Sequence, residues 1–123
     1  LHGVRPDARI AIVGGGIFPR TAIVVRSLRP DAEIVLIDES EANLESARAQ
    51  LDFPFEAQCH RFEGAPLDAD VAIIPLAFRG VRRRVYAEPP APVVLVHDWI
   101  WRPSGEGRCV SWLLAKRINR IDR

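Results

Sequence analysis

Three consecutive glycines, Gly14, Gly15 and Gly16, follow the apolar run Ile10 to Val13, and Asp38 closes a second apolar run that begins at Glu33. Glycine has no Cβ to hold a ligand off the backbone, and it adopts the positive φ that a tight strand-to-helix turn needs. A carboxylate at the end of the neighbouring strand accepts hydrogen bonds from vicinal hydroxyls such as those of a ribose. Together they are the pattern of a βαβ unit that holds a nucleotide-type ligand across its first turn. A plain tight turn would also use glycine, but three in succession before a helical stretch favour a ligand loop. Asp38 is expected to serve the ligand with little part in stability, and Glu39 is its alternate by one position of register. Pro19 stands where a dinucleotide fingerprint places its third small residue, which argues against NAD or FAD.

Acid–base chemistry has few further candidates. His97 and Asp98 follow the apolar run Val93 to Val96 and form the acid–base pair expected near the carboxyl ends of the strands, where open α/β sheets bind ligands. His97 is the natural titrating group near neutral pH. Neighbouring strand residues point to opposite faces, so both serve one substrate only if the chain turns there. Pro75, Leu76, Ala77 and Phe78 end the run Val71 to Ile74 at the same edge; being apolar, they are expected to line the ligand site without catalysing. His60 reads as structural or solvated. The histidines His2, His60 and His97 are isolated and no His/Cys pair has ligand spacing, so no metal site is expected. No G-x-S-x-G elbow for a covalent nucleophile is present. Arg79, Arg82, Arg83 and Arg84, with Arg102 and Arg108, make the strong local charge bias. Guanidinium forks match carboxylate and phosphate oxygens, which would suit an anionic small molecule or an RNA backbone; the plainer reading is the wet face of one helix. Trp99, Trp101 and Trp112 have spacing that fits hairpin packing better than base stacking.

The elements that must carry these side chains follow from pattern. Arg9 to Val13 reads as a buried strand, and a helix is expected from near Pro19 to before Pro30. Thr21 to Val25 has strong β propensity, which the βαβ context overrides. Glu33 to Asp38 is the second strand, and Ser40 caps a helix from Glu41 to Leu51. Phe55 to Phe62 reads as a third strand. Gly64 to Asp70 is too short for a full crossover helix, so the third crossover is reduced. Val71 to Ile74 and Val93 to Val96 are further buried strands with a helix, Arg79 to Tyr86, between them. Arg108 to Ile118 is expected as an antiparallel strand returning along the sheet, a helix being the alternative by composition.

At 123 residues and 48% hydrophobic, the chain is expected to be a single domain over 1–123 with one core. With 17 basic against 16 acidic residues its formal net charge is +1, which singles out neither nucleic acid nor membrane. Cys59 and Cys109, without a CxxC pair, fit free thiols in a reducing cytoplasm. No run has transmembrane length and no basic-then-apolar leader is seen. A chain that begins at Leu1 and contains no methionine reads as a piece of a longer protein.

The order of strand, glycine loop, helix and acid-closed strand, with a closing strand followed by Lys116 and Arg117, resembles the class I S-adenosylmethionine-dependent methyltransferases. Within them, Val13-Gly14-Gly15-Gly16-Ile17-Phe18-Pro19-Arg20-Thr21-Ala22-Ile23 is similar to the glycine–proline loop of nicotianamine synthases, which use the same cofactor but transfer its aminocarboxypropyl group. The resemblance spans most of the chain by element order and is residue-specific over Ile10 to Asp38. It implies a Rossmann-like three-layer α/β sandwich, with a mostly parallel sheet of order 3-2-1-4-5 and a C-terminal antiparallel strand beside the fifth. It implies S-adenosyl-L-methionine as cofactor, held by Gly14, Gly15, Gly16, Pro19, Asp38 or Glu39, Pro75 and Leu76. Glu63 stands where the family often touches the adenine amino group, and reads equally as a solvated turn acid. The activity implied is transfer of a methyl or aminocarboxypropyl group to an acceptor the resemblance does not name, with His97 or Asp98 placed to take a proton. The shortness of the chain, the reduced third crossover, the missing fifth helix and the apolar Pro75 to Phe78 depart from the family, and they bear on catalysis more than on fold. Two other readings stay open: a nucleotide-binding or sensing domain without catalysis, and an NAD-dependent enzyme, which Pro19 disfavours.

Overall fold

The computed structural model describes residues 3–14, 19–76, 78, 82–99, 106–111 and 116–123, with 98, 99, 106–111, 116 and 117 described through the backbone alone. In chain order the elements are β1 (Arg9–Val13), α1 (Arg20–Leu28), β2 (Glu33–Asp38), α2 (Glu41–Gln50), β3 (Glu56–Cys59), β4 (Val71–Ile74), α3 (Arg82–Ala87), β5 (Val93–Trp99), β6 (Glu106–Ser111) and β7 (Lys116–Asp122). The strands form one seven-stranded sheet in the order β3-β2-β1-β4-β5-β7-β6. β1 to β5 run parallel, and β7 runs antiparallel to both β5 and β6. This is the Rossmann-like sheet expected from the sequence, with β1 central among the five parallel strands.

Side-chain alternation divides the core into two halves. Ile10 and Ile12, Ile34 and Leu36, and Val71 and Ile73 face a cluster that includes Ala22 and Val25 of α1 and Leu44 and Ala47 of α2. Ala11 and Val13, Val35 and Ile37, and Ala72 and Ile74 face the other cluster, closed by Val85 of α3, Phe62 and Ala91. Right-handed crossovers explain the partition: the chain steps outward from β1 through α1 and α2, then returns to the far side of β1 and steps the other way through α3. Burial on both faces is why these strands read as continuous apolar runs, and each large aliphatic side chain taken fully from water contributes about 1.5–3 kcal/mol.

Residues 60–70 contain no helix, and Phe62, Leu67 and Ala69 pack on the second face in its place, as a reduced third crossover requires. α1 is helical although Thr21, Ile23, Val24 and Val25 are β-branched; Ala22 and Val25 bury against the sheet while Ile23 and Val24 are half exposed. Tertiary context outweighs propensity there. Three expectations are corrected. β3 is shorter than Phe55 to Phe62, because the chain leaves the ladder after Cys59. β5 runs on through His97 and Asp98 to Trp99, since β7 pairs with it along its whole length from Val93↔Asp122 to Trp99↔Lys116. The returning strand is not a single Arg108 to Ile118 segment. Two strands form a hairpin, and the later one, Lys116–Asp122, lies beside β5. Its polar composition hid it: buried Asn119 donates from Nδ2 to the Tyr86 hydroxyl at 2.9 Å, so a polar residue sits where a core strand ordinarily shows an apolar one. The helix between β4 and β5 is Arg82–Ala87, and positions 79–81 of the expected Arg79 to Tyr86 lie outside the described residues.

Candidate functional site

β1 turns into α1 on one face of the sheet and β4 leads to α3 on the other, so the two chains diverge at their carboxyl ends and open a crevice. A cavity of about 190 Å³ lies there. β1 and its turn supply Val13 and Gly14; β2 and its end supply Ile37, Asp38 and Glu39; the coil after β3 supplies His60, Arg61 and Phe62; the turn after β4 supplies Pro75 and Phe78. The volume is below the roughly 300–1,000 Å³ of sites for drug-sized ligands.

Gly14 makes the first wall possible. Its φ is +72°, and its N–H donates to the Ile37 carbonyl at 2.7 Å, stitching the turn to the end of β2. A Cβ at this position would stand 3.5 Å from Pro75 Cγ, in ordinary contact, so the backbone conformation and not crowding is what calls for glycine. Asp38 is buried, and its carboxylate is fixed by the start of α2: Oδ1 accepts from the Ser40 N–H at 2.9 Å, and the Asn43 amide approaches Oδ1 and Oδ2 at 3.3 and 3.4 Å. Ser40 Oγ in turn accepts from the Asn43 N–H at 3.2 Å as the N-cap of α2. Oδ1 is committed to the fold. Oδ2, met among the described residues only by the long Asn43 contact, keeps more of its acceptor capacity. The expectation that Asp38 serves a ligand alone is therefore corrected: it also anchors α2.

The opposite wall is aromatic. Phe62 and Phe78 lie with ring centroids 5.6 Å apart and planes tilted by 42°. The coil that carries Phe62 is tied to β2 by the His60 N–H, which donates to the Asp38 carbonyl at 3.1 Å. The rim is polar, with Glu39, His60 and Arg61 exposed. Beside it the Glu41 carboxyl is held below the usual carboxylate range, first by its hydrogen bond from Arg48 and then by the neighbouring Cys59 thiol. Desolvation pushes that thiol up, followed by the nearby Glu41 carboxyl, and its Sγ donates to the Glu39 carbonyl at 3.7 Å. Among the described residues no group of His, Cys, Asp and Glu is arranged to hold a metal ion.

Of the site residues read from sequence, Gly14, Asp38, Glu39 and Pro75 come together at the cavity. Gly15 and Gly16 lie outside the described residues. Pro19 is buried at the N-cap of α1, where its carbonyl accepts from the Ile23 N–H at 3.2 Å, and Leu76 adjoins the lining without joining it. Glu63 is exposed, off the cavity, and paired with Arg61 at 3.5 Å. His97 is one strand away, on the face shared by Val93 and Leu95, and its carbonyl accepts from Arg82; Asp98 continues the same strand. His60, Arg61 and Phe62 are the additions from structure. They sit in coil, where no periodicity marks a residue as facing a site.

No protein-family model and no curated protein sequence matches the chain. Solved structures share its fold. A structure of the complex between the Haloferax volcanii Trm112 methyltransferase activator and a protein designated a methyltransferase matches with a TM-score of 0.59 at 18% identity, over 78% of this chain and 47% of that one. Human N-acetylserotonin methyltransferase, in complex with SAM, matches at 0.54 and 22% identity, over 75% of this chain and 30% of that one. A Rhodobacter sphaeroides protein designated a zinc-dependent alcohol dehydrogenase matches at 0.57 and 14% identity, over 80% and 43%. The chain thus spans less than half the length of each of these neighbours.

Proposed function

We propose that this chain is an S-adenosyl-L-methionine-binding domain of the methyltransferase type, a single Rossmann-like domain that forms part of a longer protein. The observation that carries the reading is the convergence, in one cavity, of a positive-φ glycine turn, a buried carboxylate and an aromatic wall. The residues fit the adenosine part of the cofactor: Asp38 Oδ2, with Glu39 as its neighbour, accepts from ribose hydroxyls, while Ile37, Phe62 and Phe78 take the apolar faces of the base. The parallel strands stand in the order 3-2-1-4-5 that the resemblance implies, and one solved structure of similar fold is bound to SAM. When bound, the cofactor supplies a methyl or aminocarboxypropyl group on a cationic sulfur. The chain's part is to orient it and exclude water.

A second reading is a nucleotide-binding or sensing domain without catalysis. It is favoured by the position of His97, whose side chain lies on the opposite sheet face from the Phe62 and Val85 cluster beside the crevice. Under the transferase reading, by contrast, the proton of an acceptor, a small molecule or an RNA, would pass to solvent or to a segment beyond this chain. Calorimetric titration of one preparation with S-adenosylmethionine, S-adenosylhomocysteine, NAD and ATP tests the proposal. Binding of the first two, and not of NAD or ATP, supports it. Preference for NAD would transfer the chain to the dehydrogenase side of the fold.

A further inference from the structure

The parallel ladder between β4 and β5 ends at Ile74↔Val96. The carbonyls of Pro75, Leu76 and His97 lie just beyond the last paired residues of this ladder. One side chain meets all three: Arg82 donates from Nη1 to the His97 carbonyl at 3.1 Å and from Nη2 to the Pro75 and Leu76 carbonyls at 2.9 and 2.6 Å. No carboxylate pairs with Arg82 among the described residues; its hydrogen-bonding capacity is directed to the backbone of the strand ends.

The same carbonyl that takes Arg82 also defines the aromatic wall. Pro75 O accepts from the Phe78 N–H at 3.2 Å, closing a tight turn, and the guanidinium carbon lies 6.0 Å from the centroid of the Phe78 ring. Phe78 is thus held between Arg82 behind it and Phe62 beside it, with the cavity in front. We propose that Arg82 is a positioning residue of the crevice, a guanidinium fork that bridges the carbonyls at the ends of β4 and β5 and sets the Phe78 wall against which the ligand's base packs. Its identification as a ligand wall rests on the cofactor reading above, whereas the setting of the Phe78 turn does not. A planar fork with fixed donors suits three carbonyls at once, which a lysine ammonium on a flexible stem does not reproduce.

The test uses Arg82→Met, which keeps the stem and removes the fork, with Arg82→Lys as the conservative variant. Amide exchange at Phe78 is followed by NMR, and S-adenosylhomocysteine affinity is measured by calorimetry at a temperature where each variant is fully folded. Exchange at Phe78 is expected to accelerate about tenfold or more in Arg82→Met while the β1 amides keep wild-type protection, a local opening without global unfolding. Affinity is expected to fall about tenfold in parallel, with Arg82→Lys intermediate in both. Wild-type exchange at Phe78 in Arg82→Met, or in Arg82→Lys should the methionine variant fail to fold, overturns the proposal whatever the ligand does. Accelerated exchange in a chain whose wild type binds no S-adenosylhomocysteine upholds the Arg82 device and overturns the cofactor reading instead.

Discussion

Replacing Asp38 separates its two tasks. In Asp38→Ala, the Ser40 N–H loses its 2.9 Å acceptor and the Asn43 amide loses both of its longer contacts, at a side chain only 7% exposed. A hydrogen bond to a charged group contributes about 1.5–3 kcal/mol, and the long amide contacts add little, so a stability loss of about 2 kcal/mol is expected. For a domain of this size each kcal/mol moves Tm by roughly 3–6 °C, giving a drop of about 6–12 °C. Asp38→Asn keeps a carbonyl oxygen for Ser40 and should lose under about 1 kcal/mol. Ligand affinity should instead fall in both variants, by about 1–3 kcal/mol, because the charged acceptor for ribose hydroxyls is gone in each. Thermal and urea denaturation give the first quantity and calorimetry with S-adenosylhomocysteine the second. Equal destabilisation by Ala and Asn would refute the division between Oδ1 and Oδ2. Undiminished affinity in both, together with its loss in Glu39→Ala, would move the ribose contact one residue along.

Gly14→Ala should cost about 1–2 kcal/mol, since L residues resist a φ of +72°, and the loss should appear in urea denaturation even without ligand. Arg9 pairs with Glu33 and Glu56 and donates to the Asp68 carbonyl at 2.7 Å, tying β1, β2 and β3 together at their amino ends. Arg9→Met is expected to lose about 1 kcal/mol, part of which disappears at high salt, as measured by urea denaturation at two ionic strengths. Because Glu41 titrates lower in the fold than in the unfolded chain, its pairing with Arg48 stabilises above the ordinary glutamate range and is lost as pH falls through the folded value. The stability gap between wild type and Glu41→Gln should be present at neutral pH and close in acid. Glu41→Gln should also speed alkylation of Cys59 by iodoacetamide under mildly alkaline conditions, because one cause of the raised thiol is removed.

The parallel part of this fold was legible because its strands are buried on both faces. Runs such as Ile34 to Ile37 and Val71 to Ile74 have no amphipathic ambiguity, and the glycines and Asp38 mark their ends. The hairpin was less legible. β7 carries Arg117, Arg120 and Asp122 along an outer pair of strands, and its buried position is polar Asn119, so neither period nor composition announces a strand. At the site, the wall formed by β1 and β2 could be read, since those residues lie at fixed offsets from strand ends. The coil wall could not: His60, Arg61 and Phe62 reach the cavity through the Asp38–His60 backbone bond, a contact across the sheet that leaves no local trace. Arg82 illustrates the converse. Its helix was expected, and so was its charge, yet the three carbonyls that occupy it depend on where the β4–β5 ladder ends.

The central claim is that an adenosine-type cofactor lies in the crevice at the carboxyl ends of β1, β2 and β4. Amide chemical-shift mapping during titration with S-adenosylhomocysteine tests it most directly. Saturable shifts at Gly14, Asp38, Glu39, Arg61, Phe62 and Phe78, with Arg9, Glu33 and Asp70 at the opposite end of the sheet unchanged, are the expected result. Shifts confined to the opposite end, or none at ligand concentrations where the calorimeter records binding, would contradict it.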